Sequence, residues 1–230
     1  MRRRLPLLLP LVILLATGAG FTAGAEVLVG AKKAVNLSVH VGPPPPFPKK
    51  RRPVAGWDAG VWVGFPLGSR LGVQGEWLYA SRGDRVKEED SSVKIIYTYF
   101  DLPLLLKWEV GRWSVIRLLA PQAEDFLTAR LYGGLRYSKS LSGLYSEEID
   151  GLYNSWILPE EDYGQDDLSL VLGAEWQVSF LHHLVLVDLR YAVGFFGVDH
   201  PEMDLHHSAL SLFLGYGFRL KSEERRRRRR

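Results

Sequence analysis

Beyond the first 25 residues no stretch of the chain sustains a helical period. Side chains instead alternate in character over segments of about ten residues, broken by clusters of Gly, Pro, Asp and Ser. The alternation predicts eight strands, at 31–42, 54–66, 71–81, 93–109, 128–139, 167–180, 184–196 and 206–220. An even number of strands suits a closed up-and-down barrel.

The two faces of these strands differ consistently. In the last strand Leu210, Leu212, Leu214, Tyr216 and Phe218 oppose Ser211, Phe213, Gly215, Gly217 and Arg219; in the sixth, Leu168, Leu170, Leu172, Ala174 and Trp176 oppose Ser169, Val171, Gly173, Glu175 and Gln177. The fourth sets Ile96 through Trp108 against a face holding Tyr97, Tyr99, Asp101, Lys107 and Glu109. A narrow barrel in lipid turns its broad apolar faces outward and fills its lumen with small and polar side chains. The expectation is an all-β, eight-stranded antiparallel up-and-down transmembrane β-barrel. The competing reading is a soluble lipocalin-like barrel with the apolar faces turned inward around a ligand.

The links support the membrane reading. Alternate links read as long and polar, at 42–53, 82–92, 140–166 and 197–205, while 67–70 and 181–183 are turn-sized; 111–127 is the exception. Outer-membrane barrels carry their long loops outside and short turns on the periplasmic side. Trp57, Trp62, Trp77, Trp108, Trp113, Trp156 and Trp176 fall near strand ends, as interfacial aromatic girdles do. The run Trp113–Leu119 is compatible with a strand extension or with a short amphipathic helix.

The N-terminus joins Arg2, Arg3 and Arg4 to an apolar run from Leu5 to Leu15 and the small residues Ala23-Gly24-Ala25, the pattern of a secretory signal. The chain thus divides into a signal peptide over 1–25, a barrel domain over 26–220 and a basic tail over 221–230 that ends in Arg225–Arg230. The net charge is +3, and its excess lies in the signal, in Lys49-Lys50-Arg51-Arg52 and in the tail. That distribution does not make the folded basic face that nucleic acid needs. There are no cysteines, so no disulfide staples the exported domain.

The stretches Gly72-Val73-Gln74-Gly75-Glu76-Trp77-Leu78-Tyr79 and Tyr99-Phe100-Asp101-Leu102-Pro103-Leu104-Leu105-Leu106-Lys107-Trp108, with Asp188-Leu189-Arg190-Tyr191 and Leu212-Phe213-Leu214-Gly215-Tyr216-Gly217-Phe218, are similar to a known pattern. Over nearly the whole mature chain the sequence resembles the outer-membrane-protein β-barrel family often called PorT-like. The resemblance implies an outer-membrane location and little about activity, some members being linked to secretion or surface attachment. One departure is that Phe218, the closing aromatic of such barrels, is followed by the basic tail.

Glu76, Asp101, Lys107, Arg136, Glu175, Asp188 and Arg190 all fall on the face expected to be luminal, where opposite charges from neighbouring strands can pair. The expected role is a structural ion-pair network. Asp199, His200, Glu202, Asp204, His206 and His207 crowd imidazoles and carboxylates together, but in no recognised ligand spacing, and they read as a solvated loop; His182 and His183 read as an exposed turn. Ser138, Ser140 and His200 could approach the outer rim, yet nothing orients a nucleophile there. Neither a phosphate loop nor a dinucleotide fingerprint is present. The expectations are therefore no catalysis, no cofactor, no metal and no nucleic-acid partner; the expected contacts are outer-membrane lipid, the barrel-assembly machinery and a surface partner through the loop 140–166. That loop interleaves Glu147, Glu148, Asp150, Glu160, Glu161, Asp162, Asp166 and Asp167 with Tyr145, Tyr153, Trp156 and Tyr163.

Overall fold

A computed structural model describes residues 26–41, 50–87, 91–114, 126–149, 152–159, 166–195 and 206–220. Nine antiparallel strands are present: β1 (Val27–Val41), β2 (Lys50–Pro66), β3 (Leu71–Lys87), β4 (Ser91–Ser114), β5 (Phe126–Ile149), β6 (Leu152–Ile157), β7 (Asp166–Phe180), β8 (His183–Gly194) and β9 (His206–Leu220). The sheet closes on itself, because β1 pairs with both β2 and β9, and β4 with β5. Closure leaves the ring without an open edge, so every strand's backbone groups find partners where no water reaches them.

The expected eight strands form the ring, and the ninth, β6, is an addition to it. β5 pairs with β7 along Phe126–Lys139 and with β6 along Leu144–Ile149. The alternation had merged β6 into a loop because six residues without an inward apolar partner carry no periodic signal. Several strands also run past their expected ends. β3 continues to Lys87 and β4 starts at Ser91, so the stretch expected as the loop 82–92 is mostly a hairpin. Trp113 and Ser114 extend β4, which settles that part of the 113–119 run as strand; 115–125 lie outside the described residues.

Which way the faces point is clear from burial. Leu172, Leu212, Leu214, Leu106 and Val35 are more than half exposed, whereas Glu76, Asp101, Glu175, Asp188 and Arg190 are buried. This is the inverse of a soluble core, and it fits a barrel bathed in hydrocarbon. The soluble alternative would require the opposite orientation. Among the described residues no helix is long and apolar enough to cross a membrane; here strands would do the crossing.

Aromatic side chains edge the apolar band. Trp57 packs against Tyr79 with ring centres 5.5 Å apart on one side, and Phe180, His183, Tyr216 and Phe218 form a contiguous group on the other. Trp62 departs from the girdle expectation: it is 2% exposed and points into the lumen. There its ring lies over Gly30 and Gly217, where an added Cβ would come within 2.7 Å of it. Both positions need glycine because of this close approach, not because of backbone conformation. At Pro103 the β3–β4 pairing is interrupted between Gly75↔Leu104 and Leu78↔Asp101 with the register unchanged, as expected where a proline has no N–H to offer the ladder.

Candidate functional site

The lumen holds the seven charges read from the sequence and several more. Their hydrogen bonds and ion pairs fall into two groups. In the group nearer the turns at 67–70 and 181–182, Lys32 Nζ lies 2.7 Å from Glu76 and 3.2 Å from Asp188, and Arg190 spans the same two carboxylates, at 2.9 Å each. The Tyr132 hydroxyl donates to Asp188. Lys107 donates to Gln74 at 2.7 Å and to Glu175 at 2.5 Å, and Arg130 reaches Glu175 and Gln177. Lys32 and Arg190 also sit over the ring of Phe213, at 4.3 and 4.6 Å.

In the group toward the opposite end, Arg82 binds Asp101 and lies 3.4 Å from Asp58. Arg136 is 3.9 Å from Asp101 and donates to Ser169, which in turn donates to Asp167. Asn36 and Ser211 donate to Asp58. Along the strands, apolar side chains separate the two groups: Ala34 follows Lys32, Leu78 follows Glu76, Leu105 precedes Lys107, Ala192 follows Arg190, and Phe213 follows Ser211. These residues are all buried, as is Val171 between Glu175 and Ser169. An eight-stranded barrel has just enough interior for its side chains, and here they fill it with paired charges around an apolar waist.

Burying such charges is tolerable because the carboxylates of Asp58, Glu76, Asp101, Glu175 and Asp188 each have a cation beside them, while Asp167 accepts from Ser169. Lys32, Asp58, Arg82, Arg130 and Asp167 were missed as members. Arg82 had been assigned to a loop, although the inward series Gln74, Glu76, Leu78, Ala80 leads directly to it. Lys32 stands at the start of the first expected strand and Asp167 reads as a loop acid; both are buried.

At the end with the short turns the lumen opens into a cavity of about 360 Å³, lined by Lys107, Glu109, Arg112, Arg130, Glu175 and Arg219 among others. At the other end the outer ends of β2, β3, β4 and β5 continue as one sheet, and β6 adds to its β5 edge so that β4, β5 and β6 form a flap. Every residue of β6 is exposed, and Trp156 stacks on Tyr145 at 4.3 Å. Leu158, just past β6, packs back onto the inward-facing group of Ala80, Tyr97 and Tyr99. Glu147 and Glu148 are strand residues of this flap; Asp150, Glu160, Glu161, Asp162 and Tyr163 lie outside the described residues.

The remaining candidates separate. His206 opens β9, His207 is buried beside Tyr99 at 5.7 Å, and Asp199, His200, Glu202 and Asp204 lie outside the described residues. Among the described residues no three His, Cys, Asp or Glu side chains group to hold a metal. Ser138 and Ser140 are buried in the lumen wall. His182 lies in the turn, and His183 Nδ1 is 2.6 Å from the Tyr216 hydroxyl.

A closed antiparallel ring with apolar residues outside and charges inside defines the class: an outer-membrane β-barrel. The chain belongs to the outer membrane protein beta-barrel domain family, whose model matches residues 18–199. Among solved structures it is similar to Ail, the attachment invasion locus protein of Yersinia pestis, at 15% identity and a TM-score of 0.39 over 84% of this chain and 98% of that one. It is also similar to OprG from Pseudomonas aeruginosa, at 12% identity and a TM-score of 0.48 over 88% and 98%. AlkL, solved in DMPC lipid bilayers, is 14% identical with a TM-score of 0.41 over 88% and 92%. No curated protein matches the sequence.

Proposed function

We propose that the protein is a non-enzymatic surface-binding barrel: a rigid pedestal, plugged by its ion pairs, that holds the β4–β5–β6 flap outside the cell for a cationic or carbohydrate partner. The observation that supports this is the flap itself. β4 and β5 have 24 residues each, where a transmembrane strand needs only about 9–11. The surplus projects Tyr153 and Trp156, 64% and 46% exposed, beside Glu147 and Glu148. Aromatic faces with nearby carboxylates suit stacking on sugars or on cationic groups. Export by a signal peptide over 1–25 and insertion by the barrel-assembly machinery belong to the same reading; N-terminal sequencing of the membrane-borne protein should begin at Glu26.

The test is binding of the detergent-solubilised barrel to an array of glycans and cationic peptides, compared with a Tyr153→Ala, Trp156→Ala variant. Removing both aromatic rings should weaken binding about tenfold. A partner bound equally by both proteins would remove the flap from the reading.

A further inference from the structure

Alternation along the outer ends of β2, β3 and β4 sorts charge by face. On the inner face Arg51 lies 3.8 Å from Asp84, and Arg82 is held between Asp58 and Asp101. On the outer face the register places Arg52 directly opposite Arg85, and Arg85 directly opposite Lys94. The row continues across β5 and β6 as Ser146 and Ser155. Lys87 stands on the same face one pleat further out. Arg52, Arg85 and Lys87 are exposed and Lys94 is partly so. Like charges directly opposite one another in a sheet repel. No acidic side chain among the described residues forms an ion pair with Arg52, Arg85 or Lys94: Asp58, Asp84 and Asp101 are turned inward and buried, and Glu148, on the same outer face of β5, stands one pleat further out opposite Ser92.

Position adds a second argument. The row lies on the lipid-facing side, five residues beyond Trp57 on β2 and six beyond Tyr79 on β3, whose rings pack together. Aromatic pairs of this kind mark the level where hydrocarbon ends. On β2 and β3 the outward residues Ala55 and Ser81, between pair and row, are small, so a lipid headgroup can approach the sheet there. A cationic row at this height faces the headgroup layer of the outer leaflet, where phosphate is the abundant anion, and guanidinium groups bind phosphate in bidentate fashion.

We infer that Arg52, Arg85 and Lys94 form a binding site for the phosphate groups of an anionic lipid of the outer leaflet. The bound phosphates neutralise a repulsion that the chain leaves uncompensated, and they pin the β2–β4 side of the barrel to the leaflet. Lys94 belongs to the flap's β4, but the site takes a lipid phosphate and its test leaves Tyr153 and Trp156 unchanged, so the two readings fail separately.

The experiment measures retention of a fluorescent phosphorylated glycolipid, lipid A, by the folded full-length barrel in neutral detergent. The comparisons are the same lipid stripped of phosphate, and the variant Arg52→Gln, Arg85→Gln, Lys94→Gln. Arg70→Gln, on the exposed turn at the opposite rim, serves as a charge-loss control. Folding of each variant is read from heat-modifiable electrophoretic mobility. The expected result is about tenfold weaker retention on removing either the phosphates or the three cations, with the Arg70→Gln protein unchanged. Equal retention of both lipids, or of lipid A by wild type and folded triple variant, overturns the site. If inorganic phosphate at equal concentration displaces the lipid, the lipid assignment fails as well.

Discussion

Lys33 shows how strictly pleat alternation governs single residues. Lys32 enters the lumen and pairs with Glu76 and Asp188, so its neighbour must face lipid. There Lys33 lies between Ala59 and Leu214, with Val35 and Tyr216 further along the same face. A lysine near the middle of the apolar band costs about 2–4 kcal/mol, less whatever its flexible stem recovers by reaching toward water. Lys33→Leu should therefore raise stability by about 2 kcal/mol, measured as a shift of the urea unfolding midpoint in lipid vesicles. Arg190 makes the opposite case. Removing it strands Glu76 and Asp188 in the lumen, with Lys32 as their remaining cation. Arg190→Met should cost about 3–5 kcal/mol in the same assay; a loss below 1 kcal/mol would mean that water reaches the network.

At the level of elements, the strands were legible where both faces carried signal. β7 and β9 show the cleanest alternation and fall within a residue of their expected limits. β3 is longer than expected because its outer end loses the apolar face: Arg85 and Lys87 read as loop chemistry, although the ladder continues through them. β6 had no signal at all. Its six residues are exposed, and only pairing with Leu144–Ile149 makes it a strand. The face assignment gives an element-scale prediction. Leu172→Arg, on the lipid side of β7, should destabilise the barrel by about 2–4 kcal/mol. Ser179→Ala, on the inner face of the same strand, should cost less than about 1 kcal/mol, since it removes one hydroxyl that accepts from Gln177. Vesicle unfolding of the two variants reads the difference.

For the whole molecule the decisive property is that the lumen is full. Wild-type protein in planar bilayers should show no resolvable current steps, because Leu78 and Phe213 close the waist between the two charge groups. Leu78→Ala with Phe213→Ala should admit ion-carrying water; equal currents from both proteins would show that the waist is not the barrier. By itself the sequence determined the eight strands of the ring, their two faces and the seven charges that turn inward, since period-two alternation is a local property of each segment. Tertiary structure decided which charges meet. Lys32 on β1, Glu76 on β3 and Asp188 with Arg190 on β8 come together only because the sheet closes and sets a register across the lumen. The β1–β9 pairing brings Gly217 beside Gly30 under the Trp62 ring, and the β2–β3 and β3–β4 registers align Arg52, Arg85 and Lys94 in one row. Cross-strand pairing depends on strand register, which no single segment encodes.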